Sequence, residues 1–336
     1  MTEFVVGGYG AAMGGTARGI GRGRSHADGR FEFLGLVAEA DSPSWLTVAA
    51  EHVFAALEAD SAVAAWERGD DGSLLARGVR PSGDAAGPCH LAVVPRPGGD
   101  ALVAARYGDG VVAVHAIDPG DPSILGPAEQ ELPATGSGPR AAQRTPHAHC
   151  VLVLDDGRVA TADLGADRVY LHRWDGARLR RVAEVRLPPG TGPRDLVALP
   201  DGELAVLGEW GLTVSVLHPA GDTFEVRGFV DLPGVSGQSQ AAGLALSSDG
   251  RFVVAGVRGA NRLAVISFDS GAVRLVGDVD CGGDWPRHLV VDGAFVHVAN
   301  QLSNSVASFA LDADGRLTPV GEPVHVPSPT CLAALS

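Results

Sequence analysis

Lysine is absent: all 26 residues in the Lys-plus-Arg count are arginine. That excludes Schiff-base catalysis by a lysine and the lysine of a phosphate-binding P-loop. Cysteine is scarce. The four present, Cys89, Cys150, Cys281 and Cys331, are too few and too scattered for a disulfide scaffold or a Cys-rich zinc site. No apolar run approaches the ~18 residues of a membrane-spanning helix. The opening MTEFVVGGYG lacks the basic stretch and long apolar core of a signal peptide, so a soluble cytoplasmic protein is expected. Positive charge is also short, since 26 Arg against 40 Asp and Glu gives a formal charge of −14. Nucleic acids and anionic membranes, which need clustered positive charge, are therefore not expected as partners.

Glycine (46) and proline (22) are abundant instead. Together they make up about a fifth of the chain, where average usage gives roughly an eighth. They punctuate a repeat in which a Pro-containing turn leads into a short apolar strand, a turn often reading Asp-Gly, and a second apolar strand. Copies begin at Pro43, Pro88, Pro146, Pro193, Ala241 and Pro286, and a shortened one, PSPTCLAALS, begins at Pro327. Residues 43–65 are rich in Ala and Glu, yet their alignment with the other copies favours strands. A Gly/Pro/Ser-rich loop near Pro133–Arg144 fills the long gap between the second and third copies. Two further strands follow each full copy, as in Ser305–Leu311 and Leu317–Val324. Four strands in ~40–50 residues mark a β-propeller blade. The shortened copy gives one inner strand, Thr330–Leu335, and the N-terminus gives three: Phe4–Gly8, Ala17–Arg22 and Phe31–Ala38. Joined, they complete a blade and remove two open sheet edges. The expected fold class is all-β, a single domain over residues 1–336: a seven-bladed β-propeller whose last blade is closed by the C-terminal strand plus three N-terminal strands.

Within a blade the strands are antiparallel, so the start of the inner strand and the end of the second strand open on one face. The inner starts supply Cys89-His90, His147 and His149, Arg194-Asp195, and Arg287-His288. The second-strand ends supply Glu58, Arg106-Tyr107, Asp163, Glu209, Arg258 and Asn300-Gln301. One mouth of the channel thus collects four His, four Arg and several acids within an acidic protein. Such a cationic pocket suits a small anion carrying phosphate or carboxylate, because a planar guanidinium binds two oxygens at once. A His beside a carboxylate can act as a general base.

These motifs, in this order and at blade spacing, resemble the bacterial seven-bladed propeller lactonase family across essentially the whole chain. The family includes propeller-type 6-phosphogluconolactonases and, more distantly, a fungal carboxymuconate lactonizing enzyme. The pieces that carry the resemblance include Pro88-Cys89-His90-Leu91, Gly136-Ser137-Gly138-Pro139, Pro146-His147-Ala148-His149 and Asp163-Leu164-Gly165-Ala166-Asp167-Arg168. Others are Gly192-Pro193-Arg194, Trp285-Pro286-Arg287-His288, Ala299-Asn300-Gln301 and Val326-Pro327-Ser328-Pro329. The resemblance implies a catalytic His at His147 or His149, with Arg194, Glu209 and Arg258 as further catalytic residues. His90, Arg106, Asp163, Arg287, His288 and Asn300 are the expected substrate-binding residues. Four positions depart from the family pattern. Asp195 stands where a His is usual, Gly243 where Glu is frequent and Arg106 where Asn is usual, while Gly7-Gly8-Tyr9-Gly10 replaces Gly-Thr-Tyr. Losing a carboxylate at 243 and gaining a charge at 106 would make the pocket more cationic.

The expected activity is hydrolysis of an anionic sugar lactone such as 6-phosphogluconolactone. Water activated by His149 or His147, with Glu209 as partner, would attack, and Arg194 and Arg258 would stabilise the oxyanion or hold the phosphate. Two alternatives stand beside it: a muconate-type lactonizing isomerase, and a non-catalytic propeller that binds an anionic metabolite or a protein. Cys89-His90 finds no third ligand at suitable local spacing, so no metal is expected, and the hydrolytic mechanism requires no organic cofactor. The sequence leaves the oligomeric state open.

Overall fold

The computed structural model describes residues 1–336 apart from 123, 270, 271 and 336. Short β-branched and apolar runs separated by glycine turns fold into seven antiparallel sheets, with one 3₁₀ turn at Ala11–Met13. No helix among the described residues is long and apolar enough to cross a membrane. The inner strands are Pro43–Ala49, Pro88–Val94, Ala148–Val153, Pro193–Ala198, Gln240–Leu246, Pro286–Asp292 and Pro329–Leu335. In the seventh blade the C-terminal strand pairs with Thr2–Gly8, which continues outward through Gly19–Ser25 and Phe31–Glu39. Closure therefore joins the two ends as expected, with the second N-terminal strand lying two to three residues later than the sequence suggests. The Ala-rich segment 43–65 is indeed strand. In the sixth blade the expected outer strand Leu317–Val324 is interrupted. Leu317–Pro319 and Val324–His325 both pair with Ser305–Leu311, separated by a turn through Gly321 (φ 67°) and Pro323.

Second and third strands are almost wholly buried, and their Val, Leu and Ala side chains interlock between neighbouring sheets. Outer strands alternate exposed and half-buried residues, as in Leu125–Pro133, because one face meets solvent. All four cysteines are buried and free.

Each inner strand carries a β-bulge near its start. Pro43, Pro88, Ala148, Pro193 and Pro286 oppose Leu57, Arg106, Asp163, Gly208 and Asn300, and one residue then has no partner before the register resumes. The same irregularity occurs between Ala241 and Leu244, and between Pro329 and Cys331. A bulge re-aims a side chain. Here it turns Ser44, Cys89, His149, Arg194, Ala242, Arg287 and Thr330 into the channel as a ring, all seven lining one narrow pocket. The next residues form a second ring: Trp45, His90, Cys150, Asp195, Gly243, His288 and Cys331.

The second ring fastens blades together. The backbone N–H of Val151 donates to His90 Nδ1 (3.4 Å), that of Leu244 to Asp195 Oδ2 (3.0 Å), that of Leu332 to His288 Nδ1 (3.2 Å) and that of Leu46 to Cys331 Sγ (3.4 Å). In each case the side chain belongs to the preceding blade. Gly243 can form no such link. A Cβ there would lie 3.1 Å from the Cα of His288 and 3.2 Å from the Arg287 carbonyl, so the fifth and sixth inner strands meet backbone to backbone.

Candidate active site

The first residue after each second strand's pairing partner sits at the same end of its blade as the inner-strand start. These residues are Glu58, Tyr107, Leu164, Glu209, Arg258, Gln301 and Tyr9. Of these Glu58 lines the pocket directly, and the pocket's other polar groups come from the inner ring and from His90, Asp195 and His288.

Glu209 is buried between two guanidiniums. Arg194 Nη1 donates to its Oε2 at 2.6 Å, and Arg258 Nη2 meets its Oε1 at 2.9 Å. Burial opposes its charge, but Arg194 and Arg258 outweigh burial and hold the carboxyl below its usual pKa. Arg194 is further fixed by Nε on the Ala242 carbonyl (3.0 Å), which leaves its Nη2 without a partner among the described residues. Arg258 reaches the carbonyls of Gln240 and Ala241 and lies over the ring of Trp285. Trp285 itself has φ 68°, a strained value for a bulky residue, and its N–H is held by Asn261 Oδ1 (3.0 Å).

His149 is buried in the wall, edge-on to Tyr107, and its ring nitrogens bond no described residue. Burial, reinforced by the charges of Arg194 and Arg287, pushes its pKa well below the usual value, so it is neutral at pH 7. His147 is placed differently. It precedes the strand, stacks on Tyr107 at 4.5 Å, and turns Nδ1 to the Tyr107 carbonyl (2.6 Å) and Nε2 to that of Ala142 (3.2 Å). Both nitrogens face backbone carbonyls, that of Ala142 in the loop that follows the second blade, and a neutral ring can donate to one of them. Arg140 and Gln143 anchor the same loop on Gly190, Trp210 and Asp167.

Arg287 lies over the ring of Tyr9, and its guanidinium contacts the Tyr9 hydroxyl and Gln301 Oε1. Tyr9 in turn donates to Glu58 Oε2 at 3.0 Å. His90 and His288 lie at the pocket floor around Trp45, His90 stacked at 3.9 Å and His288 edge-on at 5.1 Å. Burial lowers their pKa values to about 3 and about 4, and each accepts a backbone N–H at Nδ1, so the hydrogen sits on Nε2.

Three expected ligand contacts turn away from the pocket. Arg106 is bound by Asp109 and by Glu131 (2.5 Å), so its charge is neutralised locally and does not make the pocket more cationic. Asp163 Oδ1 gathers the N–H groups of His147, Gly165 and Ala166 at 2.9–3.0 Å and ties a turn. Asn300 donates to the Cys281 carbonyl (3.0 Å) between strands. All three directly oppose the first inner-strand residue, one position before Tyr107, Leu164 and Gln301. Tyr9, by contrast, was not foreseen as a site residue. Its signal was the same strand-end rule applied to the blade formed by the chain ends.

His90 Nε2, Cys150 Sγ and Asp195 lie together, their ligand atoms within 4.8 Å of one another. A metal would need the lone pair of Nε2. That nitrogen instead carries hydrogen toward Cys150 Sγ (3.7 Å), whose S–H points to Asp195 Oδ1 (3.5 Å). The three therefore fit a hydrogen-bonded chain, not a ligand set.

The family model described as lactonase, 7-bladed beta-propeller, matches residues 3–334. A 6-phosphogluconolactonase of Bacillus subtilis (strain 168) is 30% identical over 263 residues, covering 75% of this chain and 74% of its own. Another, from Formosa agariphila, is 26% identical over 248 residues, covering 68% and 67%. Among solved structures, a periplasmic gluconolactonase of Pseudomonas aeruginosa aligns with a TM-score of 0.91 at 28% identity, covering 100% of this chain and 99% of that one. The blade count, the closure of the ends and these matches agree: the chain belongs to the seven-bladed β-propeller lactonase family.

Proposed function

We propose that the protein hydrolyses an anionic sugar lactone, with 6-phosphogluconolactone the first candidate. The observation that carries this reading is the pairing, in one pocket, of a neutral unpartnered imidazole (His149) with a guanidinium that keeps a free N–H edge (Arg194). Water attacks the lactone carbonyl carbon and His149 accepts its proton. The carbonyl oxygen becomes an oxyanion facing Arg194. Collapse re-forms the carbonyl and breaks the ring C–O bond, and the proton passes from His149 to the departing ring oxygen. Glu209, with both oxygens engaged, orients the two arginines and does not collect protons. Fixed charge at the developing oxyanion supplies the main stabilisation. The names carried by the relatives support lactone chemistry.

Hydrolysis of 6-phosphoglucono-δ-lactone by purified protein tests the reading. His149→Ala and Arg194→Ala are each expected to lower kcat/KM by roughly 10²-fold or more. His147→Ala, remote from the bond broken, should lower it by less than about tenfold. Full activity in both of the first two variants would sink the mechanism.

A further inference from the structure

Two carboxylates line the pocket, Glu58 and Asp195, and a third, Glu209, lies against the lining residue Arg194. Asp195 is taken up by the N–H groups of Leu196 and Leu244. Glu209 is saturated by two guanidiniums. Glu58 lines the same pocket, half-buried, and makes no ion pair among the described residues. Its one side-chain bond is at Oε2, from the Tyr9 hydroxyl, and Oε1 has no described partner. Tyr9 is held by Arg287 on its face and at its oxygen, so the donor that orients Glu58 is itself fixed. This Arg287–Tyr9–Glu58 array crosses the sixth, seventh and first blades. It is built as firmly as the Arg194–Glu209–Arg258 array, yet it leaves an acceptor open to the pocket.

An ionised carboxylate offers only acceptor sites, so what it recognises must be a donor. An anionic group placed beside it would meet like charge, whereas a hydroxyl would satisfy it. Resting on the lactone reading above, we infer that Glu58, oriented by Tyr9, is the specificity-determining residue that reads the ring hydroxyls of the substrate. Arg194 and Arg287 take its anionic and carbonyl oxygens. The pocket then discriminates a polyhydroxylated lactone from a polycarboxylate of the muconate kind. The latter has no donor for Glu58 and sets a negative group against it. A buried acceptor left without its donor penalises the wrong ligand more than a lost apolar contact does.

Binding of two six-carbon carboxylates tests this without requiring turnover. Gluconate and hexanoate carry one charge each and differ in the hydroxyls of gluconate. Titration calorimetry on the wild-type protein is expected to favour gluconate by at least about tenfold. Glu58→Ala should reduce that preference to within about threefold, chiefly by weakening gluconate. Glu58→Gln, of the same shape and retaining one acceptor oxygen, should fall between, and it keeps the test open should the alanine variant fold poorly. No wild-type preference, a preference unchanged in Glu58→Ala, or an equal loss for both ligands would each overturn the assignment. The two readings fail separately. A wild-type protein that shows the preference but hydrolyses no lactone refutes the activity and leaves the recognition standing. Lactone hydrolysis with a preference that Glu58→Ala does not change refutes the recognition alone.

Discussion

Arg194 acts on both Glu209 and His149, but the protein depends on the two differently. Removing the charge of Glu209 leaves Arg194 and Arg258 buried side by side without a counter-ion, and breaking a buried pair by deleting one partner costs about 3–5 kcal/mol. The ring nitrogens of His149 bond no described residue, so loss of the side chain removes packing at a cavity wall and little else. Glu209→Gln should therefore lower both the melting temperature and the activity. His149→Ala should remove activity while leaving the melting temperature nearly unchanged. Thermal melts and kinetics on the same two preparations check this, and a His149→Ala protein destabilised as much as Glu209→Gln would show that the imidazole is structural. The lowered pKa of His149 has a kinetic counterpart. The base must be neutral, so activity is lost only as pH falls through the depressed value. The plateau of kcat/KM should accordingly continue below pH 6.5, where an ordinary His would already be titrating.

At the scale of the strand, one residue of register decides what a side chain does. Side chains alternate along a strand, so Arg106, Asp163 and Asn300 bond away from the pocket while Tyr107 and Gln301, one place on, contact His149 and Arg287 of its wall. The repeat spacing and the Asp-Gly turns made the blades, their number and the closure legible in the sequence. The inner-strand starts likewise made His149, Arg194 and Arg287 legible. The bulges were not, since they depend on how neighbouring sheets crowd at the axis, and without them Cys89 cannot be told from His90 as the residue that faces a ligand. Asp195 is a case in point. It stands where a His is usual in the family, and it is the acceptor that joins the fourth and fifth blades through Leu244. Asp195→Ala leaves the Leu244 N–H and the Cys150 S–H without acceptors and should cost about 1–3 kcal/mol. Asp195→Asn keeps an acceptor oxygen and should cost under about 1 kcal/mol. Denaturant unfolding compares the two, and equal losses would mean that the link to the next blade contributes nothing.

For the whole molecule, the same links make acid the natural denaturant. Burial lowers His90 and His172 to about 3 and His288 and His297 to about 4, and it also lowers His115 and His149. Above pH 6.5 these groups are neutral whether the chain is folded or not and contribute no pH dependence. Below it the unfolded chain takes up protons that the folded ring refuses, at His90, His172, His288 and His297 until pH 3–4, so stability falls as pH falls through that window. Each of these four His can remove up to about 2 kcal/mol between pH 6.5 and 5. Asp195 has the opposite sign. Burial raises it to about 6, so between that value and its usual 3.8 the folded state holds the extra proton and acid favours folding. Burial raises Asp163 as well, so two carboxyls work against six imidazoles, and the imidazoles prevail. The melting temperature should be level above pH 7 and decline steadily to pH 4. In His288→Gln, which keeps an acceptor for the Leu332 N–H but cannot titrate, the decline should be shallower. A melting temperature that holds constant to pH 5, or rises, would mean that the buried histidines are solvated and that the ring is not joined through them.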